Sequence, residues 1–341
     1  MHLLIPFAYR SLQDRQPDSQ PDCQTALARL TLPHLQRLLG LLTTRHDELG
    51  ASNTLIPPHE RALAAAYGIL KAGVTPDGQV PWGAWHAAKA GHPVVATDHW
   101  AVITPCHWAV QTNHITMVAP RALNLEEEES RQLMATLQPF FEEDGIHLRF
   151  DTATRWLATG AVFAGLATAS PYRVLGARVD DWIPKGDAAR GLRRLQQEVQ
   201  MLLYTHPLSD ARASRGLPAV NSFWVSGTGA LPPGFSLAAA SNASAQVVCP
   251  HMLRDAAVAD NWPAWGEAWQ RIDATECAAA LAALQSGQPV TVTLCGDKNA
   301  RSFSGLTPKG WGAIGQNLKQ AFKRPPSVQK LLAALDSPHA P

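Results

Sequence analysis

HLLIPF at residues 2–7 decides the class of this fold, because a helical pattern stands next to it in the chain. A short apolar run stopped by Pro6 predicts a strand, a polar loop rich in Gln, Asp and Pro comes next, and Leu27 to Leu42 then spaces its leucines as a helix does. Strand followed by helix is an α/β opening. Further along, Pro57 and Pro58 precede HERALAAAYGILKAG, whose alanines and leucines favour helix and whose Gly73 predicts its stop. Trp100 to Thr104 and Ile115 to Val118 predict strands around a turn at Pro105. LNLEEEESRQLMATLQPFFEEDG, residues 123–145, predicts a helix that is acidic in its first turn and ends before Gly145, and Ile146 to Phe150 resumes as a strand.

The pattern continues to the carboxyl end. Between Gly191 and Tyr204, Leu192, Leu195, Val199, Leu202 and Leu203 share one helical face, with Arg193, Gln196, Gln197 and Gln200 turned toward another. Val220 to Val225 predicts a strand that runs into a turn-forming SGTGALPPG. Gln246 to Cys249 and Val290 to Cys295 predict further strands, separated by a segment from Asn261 to Gly287 that is helical in its second half. The tail from Lys323 is basic, then helical.

With 341 residues, 46% of them hydrophobic, the chain can build one α/β domain over 1–341, with an inserted subdomain around 100–190 as the alternative division. Its 29 basic and 28 acidic residues leave a formal charge of +1, so nucleic acid is not an expected partner. MHLLIPFAYR has no basic leader, and no segment reaches the roughly 18 apolar residues of a membrane span, so neither a signal peptide nor a membrane partner is expected. The five cysteines are scattered and form no CxxC pair, which argues against a disulfide framework or a zinc knuckle and for a reducing cytoplasm. Eleven tryptophans, Trp311 among them, suit cores, clefts and interfaces alike.

Chemistry-bearing residues crowd most densely in LRRLQQEVQMLLYTHPLSDARASRGLPAVNSFWVSGTG, residues 192–229. Glu198, Gln200, His206, Asp210, Arg212, Arg215, Asn221, Ser222, Trp224, Gly227 and Gly229 are candidate ligand contacts there. Arg212 and Arg215 could hold an anion by forked hydrogen bonds, and the two glycines could offer backbone N–H groups to a phosphate or carboxylate. The plainer reading of the same residues is a helix cap, a solvated loop and a tight turn. Upstream, His86, His92, His99, His107 and His114 fall near Asp98 and Cys106, a ligand inventory suited to a transition metal. No HxH, HxxxH or HExxH spacing occurs, and alternate residues of a strand point apart, so all five cannot converge. TPCHW (104–108) offers Cys106 beside His107, but strand neighbours diverge, so a buried structural cysteine is the reading preferred there. LCGDKNARSF (294–303) ends a strand in Gly296, Asp297, Lys298 and Asn299, where α/β folds hold functional groups, and Asp297 joins the candidate ligand contacts.

LPHLQRLL, PPHERALA, TPCHW, LRRLQQEVQMLLYTHPLSDAR and VNSFWVSGTG resemble the RpfE-type regulatory proteins of proteobacteria, which are phosphoglycerate mutase-like. More distantly, NSFWVSGTG, LPHLQRLL and LCGDKNARSF are similar to segments of the archaeal-type, cofactor-independent phosphoglycerate mutases of the alkaline phosphatase superfamily. The resemblance implies an alkaline-phosphatase-like α/β sandwich, a central mostly parallel sheet flanked by helices, and two divalent metals serving a phosphate-carrying serine. It also implies departures. Where those proteins have a metal-ligating Asp-Gly after the first strand, this chain has Pro6, Phe7 and Ala8; where they have a late metal-binding His, it has Lys298, which cannot ligate when protonated. Asp297 is retained, and Ser52 lies in the region of the nucleophile without its flanking motif. The expected function is therefore a phosphoglycerate mutase-like protein with a degenerate metal site, binding a small phosphorylated or anionic metabolite or a protein partner in a regulatory role. The alternative is an active metal-dependent phosphomutase or phosphohydrolase whose ligands have moved to residues such as Asp98, His99, His107 and His114.

Overall fold

A computed structural model describes residues 1–10, 22–71, 73–95, 97–305 and 327–336; Trp311 and the basic stretch beginning at Lys323 lie outside the described residues. Along the chain the elements run β1 (His2–Ile5), α1 (Cys23–Ala28), α2 (Pro33–Leu41), β2 (Thr43–Glu48), α3 (Pro58–Ala66), α4 (Trp82–Lys89), β3 (Trp100–Cys106), β4 (Trp108–Val110), β5 (Ile115–Met117) and α5 (Glu127–Glu143). Then come β6 (His147–Thr152), β7 (Arg155–Thr159), α6 (Pro171–Val174), α7 (Val179–Trp182), α8 (Arg190–Tyr204), α9 (Pro207–Ser214) and β8 (Ser222–Gly229). The last part holds α10 (Leu237–Ala245), β9 (Val247–Val248), α11 (Met252–Val258), α12 (Trp262–Ile272), α13 (Ala278–Gln285), β10 (Val290–Cys295), β11 (Ala300–Gly305) and α14 (Val328–Ala333). No helix among the described residues is long and apolar enough to cross a membrane.

The chain is α/β, as expected, and divides into two units. The first contains Met1–Asn53, Pro57–Ala66 and Ser241–Pro341, and the second Thr54–Ile56 with Tyr67–Ala240, so the stretch 100–190 lies inside the second. In the first unit a five-stranded sheet runs β2-β11-β10-β1-β9. The interior strand β1 pairs in parallel with both neighbours, His2 opposite Thr291 on β10 and opposite Val247 on β9, while β11 and β2 add an antiparallel edge. Leu3, Leu4 and Ile5 are fully buried, which is why β1 reads as an unbroken apolar run.

The expected helix from Leu27 to Leu42 is two helices, because Pro33 starts a new one at its first position, where a missing N–H costs nothing. Leu32 gives α2 no side-chain cap, and the cap comes from far away in sequence. Asp273 accepts the N–H of Leu35 at 2.8 Å and that of His34 at 3.2 Å, and the His34 Nδ1 lies 3.0 Å from the same carboxylate. Asp273 opens a π turn, Asp273–Cys277, that joins α12 to α13, so Trp262 to Gln285 is helical throughout and not only in its second half. The helix expected to run to Gly73 ends at Ala66, just before Gly68 takes φ +72°.

The second unit has a four-stranded antiparallel sheet, β6-β7-β3-β8, and a two-stranded ribbon, β4-β5. Pro105 lies within β3 and is not the turn that its residue type predicts. Pairing of β3 with β7 ends at Ile103, so the missing proline N–H breaks no bond on that side. SGTG is likewise strand, not turn: β8 runs from Ser222 to Gly229 with every residue buried. Its glycines serve close packing. A Cβ on Gly227 would lie 2.9 Å from the Trp82 Cβ, one on Gly229 would lie 2.8 Å from the Gln79 carbonyl oxygen, and one on Gly83 would lie 2.7 Å from the Ala101 backbone. Helix α4 can therefore lie directly on β3 and β8. The core on the other side is built from Phe141 of α5, Leu195 and Val199 of α8, Trp156 of β7 and Phe223 of β8.

His86 of α4 carries a pH signature. Burial first, then the nearby Arg155 and Lys89 charges, lower its pKa from 6.5 to about 4, against the opposing pull of Asp151. The unfolded chain thus binds a proton below pH 6.5 that the folded chain refuses until about pH 4. Stability is expected to be fully present above pH 6.5 and to fall by about 3 kcal/mol as the pH drops toward 4. Denaturant titrations of wild type and His86→Gln at both ends of that window check it; an equal slope in the two proteins would show that His86 is not the titrating group.

Candidate functional site

The crowded stretch from 192 to 229 is used mostly to hold the second unit together. Arg212 is fully buried on α9, and the anion it grips is Glu129 of α5. Its Nη1 donates to the Glu129 carboxylate, its Nη2 to the Leu123 carbonyl and its Nε to the Pro218 carbonyl at 2.9 Å. Arg215 donates to the other Glu129 oxygen. Burial pushes the Glu129 carboxyl up, but the Arg215 hydrogen bond, the Glu126 N–H and the two guanidinium charges outweigh it and hold the pKa low. The forked grip expected on a ligand therefore closes on a side chain of the protein itself.

The neighbouring candidates behave in the same way. Asn221 exchanges two hydrogen bonds with the Trp108 backbone, accepting its N–H at 2.7 Å and donating to its carbonyl at 3.0 Å, and so ties the entry to β8 to β4. Trp224 donates its indole N–H to Ala169 at 2.8 Å. Gln200 donates to the buried Ser222 hydroxyl at 3.4 Å, and Gln196, expected on a polar face, is buried and donates to the Phe223 carbonyl at 3.1 Å. His206 caps α9, its Nδ1 accepting the Leu208 N–H, with Nε2 3.3 Å from the Thr136 hydroxyl. Glu198 pairs with Arg194 on the surface, and Asp210 is exposed in the first turn of α9. Gly227 and Gly229 face protein rather than an open cleft. Between them the Thr228 hydroxyl donates to the Leu166 carbonyl at 2.6 Å, with the Thr168 hydroxyl 3.1 Å away.

The upstream histidines are dispersed. Asp98 closes its own turn on the Val95 N–H, the His99 carbonyl accepts the Gly160 N–H, His107 Nδ1 meets the Ala219 carbonyl at 2.7 Å, and His114 Nδ1 meets Asn113 at 2.6 Å. Among the described residues, no group of three or more His, Cys, Asp or Glu side chains stands together so as to hold a metal ion. Cys106 is fully buried, and burial drives its thiol pKa well above the usual range, the opposite of what a nucleophile needs.

In the first unit the carboxyl ends of β1 and β10 do converge, which is where parallel α/β sheets place ligands. Beyond β1, Phe7 is buried with φ +51°, a left-handed conformation that a bulky residue adopts only when its surroundings impose it. Trp265 and Trp269 of α12 donate their indole N–H groups to the Phe7 and Ala8 carbonyls at 3.0 and 3.3 Å, and the Ala8 N–H donates to Cys295 at 2.8 Å. The Phe7 ring lies 5.2 Å from the buried His59 ring. Beyond β10, the turn 296–299 is closed by the Gly296 N–H on the Asn299 carbonyl at 2.8 Å. Asn299 Oδ1 accepts the Gly50 N–H at 2.9 Å, and a Cβ on Gly50 would lie 2.2 Å from the Lys298 carbonyl oxygen. The backbone N–H groups of Asp297 and Lys298 both point at Asp336 Oδ1, at 2.9 and 3.2 Å. Asp297 was legible in the sequence as a strand-end residue; Asp336 and Gly50 carry no local signal that they meet this turn.

No protein-family model matches the chain. A stretch of 62 residues is 34% identical to the 2,3-bisphosphoglycerate-independent phosphoglycerate mutase of Methanothrix thermoacetophila, spanning 18% of this chain and only 16% of that protein. Among solved structures, a protein of Pyrococcus horikoshii aligns over 89% of this chain and 87% of its own, at 12% identity and a TM-score of 0.45. The cofactor-independent phosphoglycerate mutase of Thermoplasma acidophilum aligns over 98% of this chain and 100% of its own, at 16% identity and a TM-score of 0.36.

Proposed function

We propose that this chain is a phosphoglycerate mutase-like protein of the RpfE-type regulatory group that binds a small phosphorylated or carboxylated metabolite beyond β10, without two-metal chemistry. The observation that carries the reading is Phe7. Where the resemblance calls for a metal-ligating carboxylate, a buried aromatic ring packs against His59, its backbone fixed by two tryptophan N–H groups. Beyond β10, Asp297 is followed in sequence by Lys298 and Asn299, a cation and an amide, which suit an anion better than a pair of divalent ions. The mutase-like 62-residue stretch supports the kinship, and the five free cysteines support a reducing, cytoplasmic setting.

In this reading the chain's own groups bind and orient a ligand and transfer nothing. Elemental analysis of the purified protein, with a parallel assay of phosphate transfer from 3-phosphoglycerate, tests it. The expected result is no stoichiometric divalent ion and no turnover. Two tightly held ions with turnover restored by them would instead establish an enzyme with relocated ligands.

A further inference from the structure

We infer that residues 327–336 form a strap whose Asp336 carboxylate occupies an oxyanion-binding nest at the carboxyl end of β10, so that strap and anionic ligand compete for the same backbone N–H groups. This deepens the proposed function and rests on its placement of the ligand beyond β10. Two successive backbone N–H groups aimed at one oxygen make the concavity in which proteins hold phosphate and carboxylate groups, and those of Asp297 and Lys298 are so aimed. The nest does not need the strap to exist. Its turn is closed within itself by Gly296 and Asn299, and braced on the far side by the Gly50 N–H on the Asn299 side chain.

The strap fits that turn closely. A Cβ on Gly296 would lie 2.7 Å from Asp336 Oδ1 and 2.7 Å from the Leu335 Cβ, so only glycine lets the strap descend this far. Leu332 and Leu335 are buried, and Gln329 donates to the Leu30 carbonyl at 2.9 Å. Asp336 is itself 4% exposed, so a docked strap keeps solutes from the two N–H groups. Its charge is felt nearby: burial first, then the Cys23, Asp336 and Asp22 charges, push the Tyr9 hydroxyl up to about 12. A carboxylate from the chain's own strap thus stands where a ligand's carboxylate or phosphate would stand. Metabolite binding and strap release become one equilibrium.

The test is a titration of the full-length protein with inorganic phosphate, following the backbone amide resonances of Asp297 and Lys298 in wild type and in Asp336→Asn. The amide side chain keeps the shape and removes the competing charge. The expected result is at least about a tenfold gain in phosphate affinity in the variant, with both resonances shifting, a difference that corresponds to about 1.4 kcal/mol. Equal affinity in the two proteins overturns the strap and leaves the anion site standing; no shift in either overturns both. Should Asp336→Asn fold poorly, Leu335→Ala keeps the carboxylate and loosens its packing on Gly296. It is expected to raise phosphate affinity in the same direction, and unchanged or weaker binding there overturns the strap.

Discussion

Replacing Arg212 with alanine is expected to cost about 3–5 kcal/mol of unfolding free energy, read as a lowered denaturant midpoint, because it takes a fully buried guanidinium away from the buried Glu129 carboxylate and leaves only Arg215 to pair it. Three protein acceptors share the Arg212 guanidinium, and the Leu123 carbonyl among them is buried and would lose its donor. Arg215→Ala is the matched control. That side chain is 43% exposed and grips the same carboxylate, so its removal is expected to cost under about 1 kcal/mol. If Arg212→Ala kept wild-type stability and lost only affinity for anions, Arg212 would return to the role of ligand contact that its residue type suggests.

Asp273→Ala is the second large effect, about 2–3 kcal/mol, because one carboxylate satisfies two backbone donors at the start of α2 and holds the His34 ring. Asp273→Asn retains one acceptor oxygen and is expected to lose about half as much. Far-ultraviolet circular dichroism during thermal unfolding tracks both. A loss below about 0.5 kcal/mol for the alanine variant would mean that α2 holds its first turn without help, against the cap geometry.

Much of the scaffold was legible in the sequence. The leucine spacing of α8 gives that helix to within a residue, and the stretch expected as α5 is helical from its acidic run onward, starting four residues later than expected at Glu127, since local periodicity and dipole preference there agree with the tertiary environment. Pro105 and SGTG misled for the opposite reason: both carry turn-forming residues, but the β7 side of β3 has already ended its pairing beside the proline, and the glycines are needed for helix-to-sheet contact. The candidate site divides in the same way. Asp297 sits at a strand end that a local pattern reveals. Arg212 and Asn221 look available as residue types and are consumed by partners 83 and 113 positions away, and Asp336 meets its turn from 39 positions downstream, distances that no periodicity reports.

The pairing of β1 at positions 2–5 with β10 at positions 290–295 also sets a timetable for synthesis. At about 5–20 residues per second, β1 waits roughly 15 to 60 s for this neighbour. The main stretch of the second unit, Tyr67 to Ala240, is contiguous and emerges whole during that interval. The apolar HLLI segment therefore stays without its β10 neighbour throughout that interval, and shielding by a chaperone would protect it.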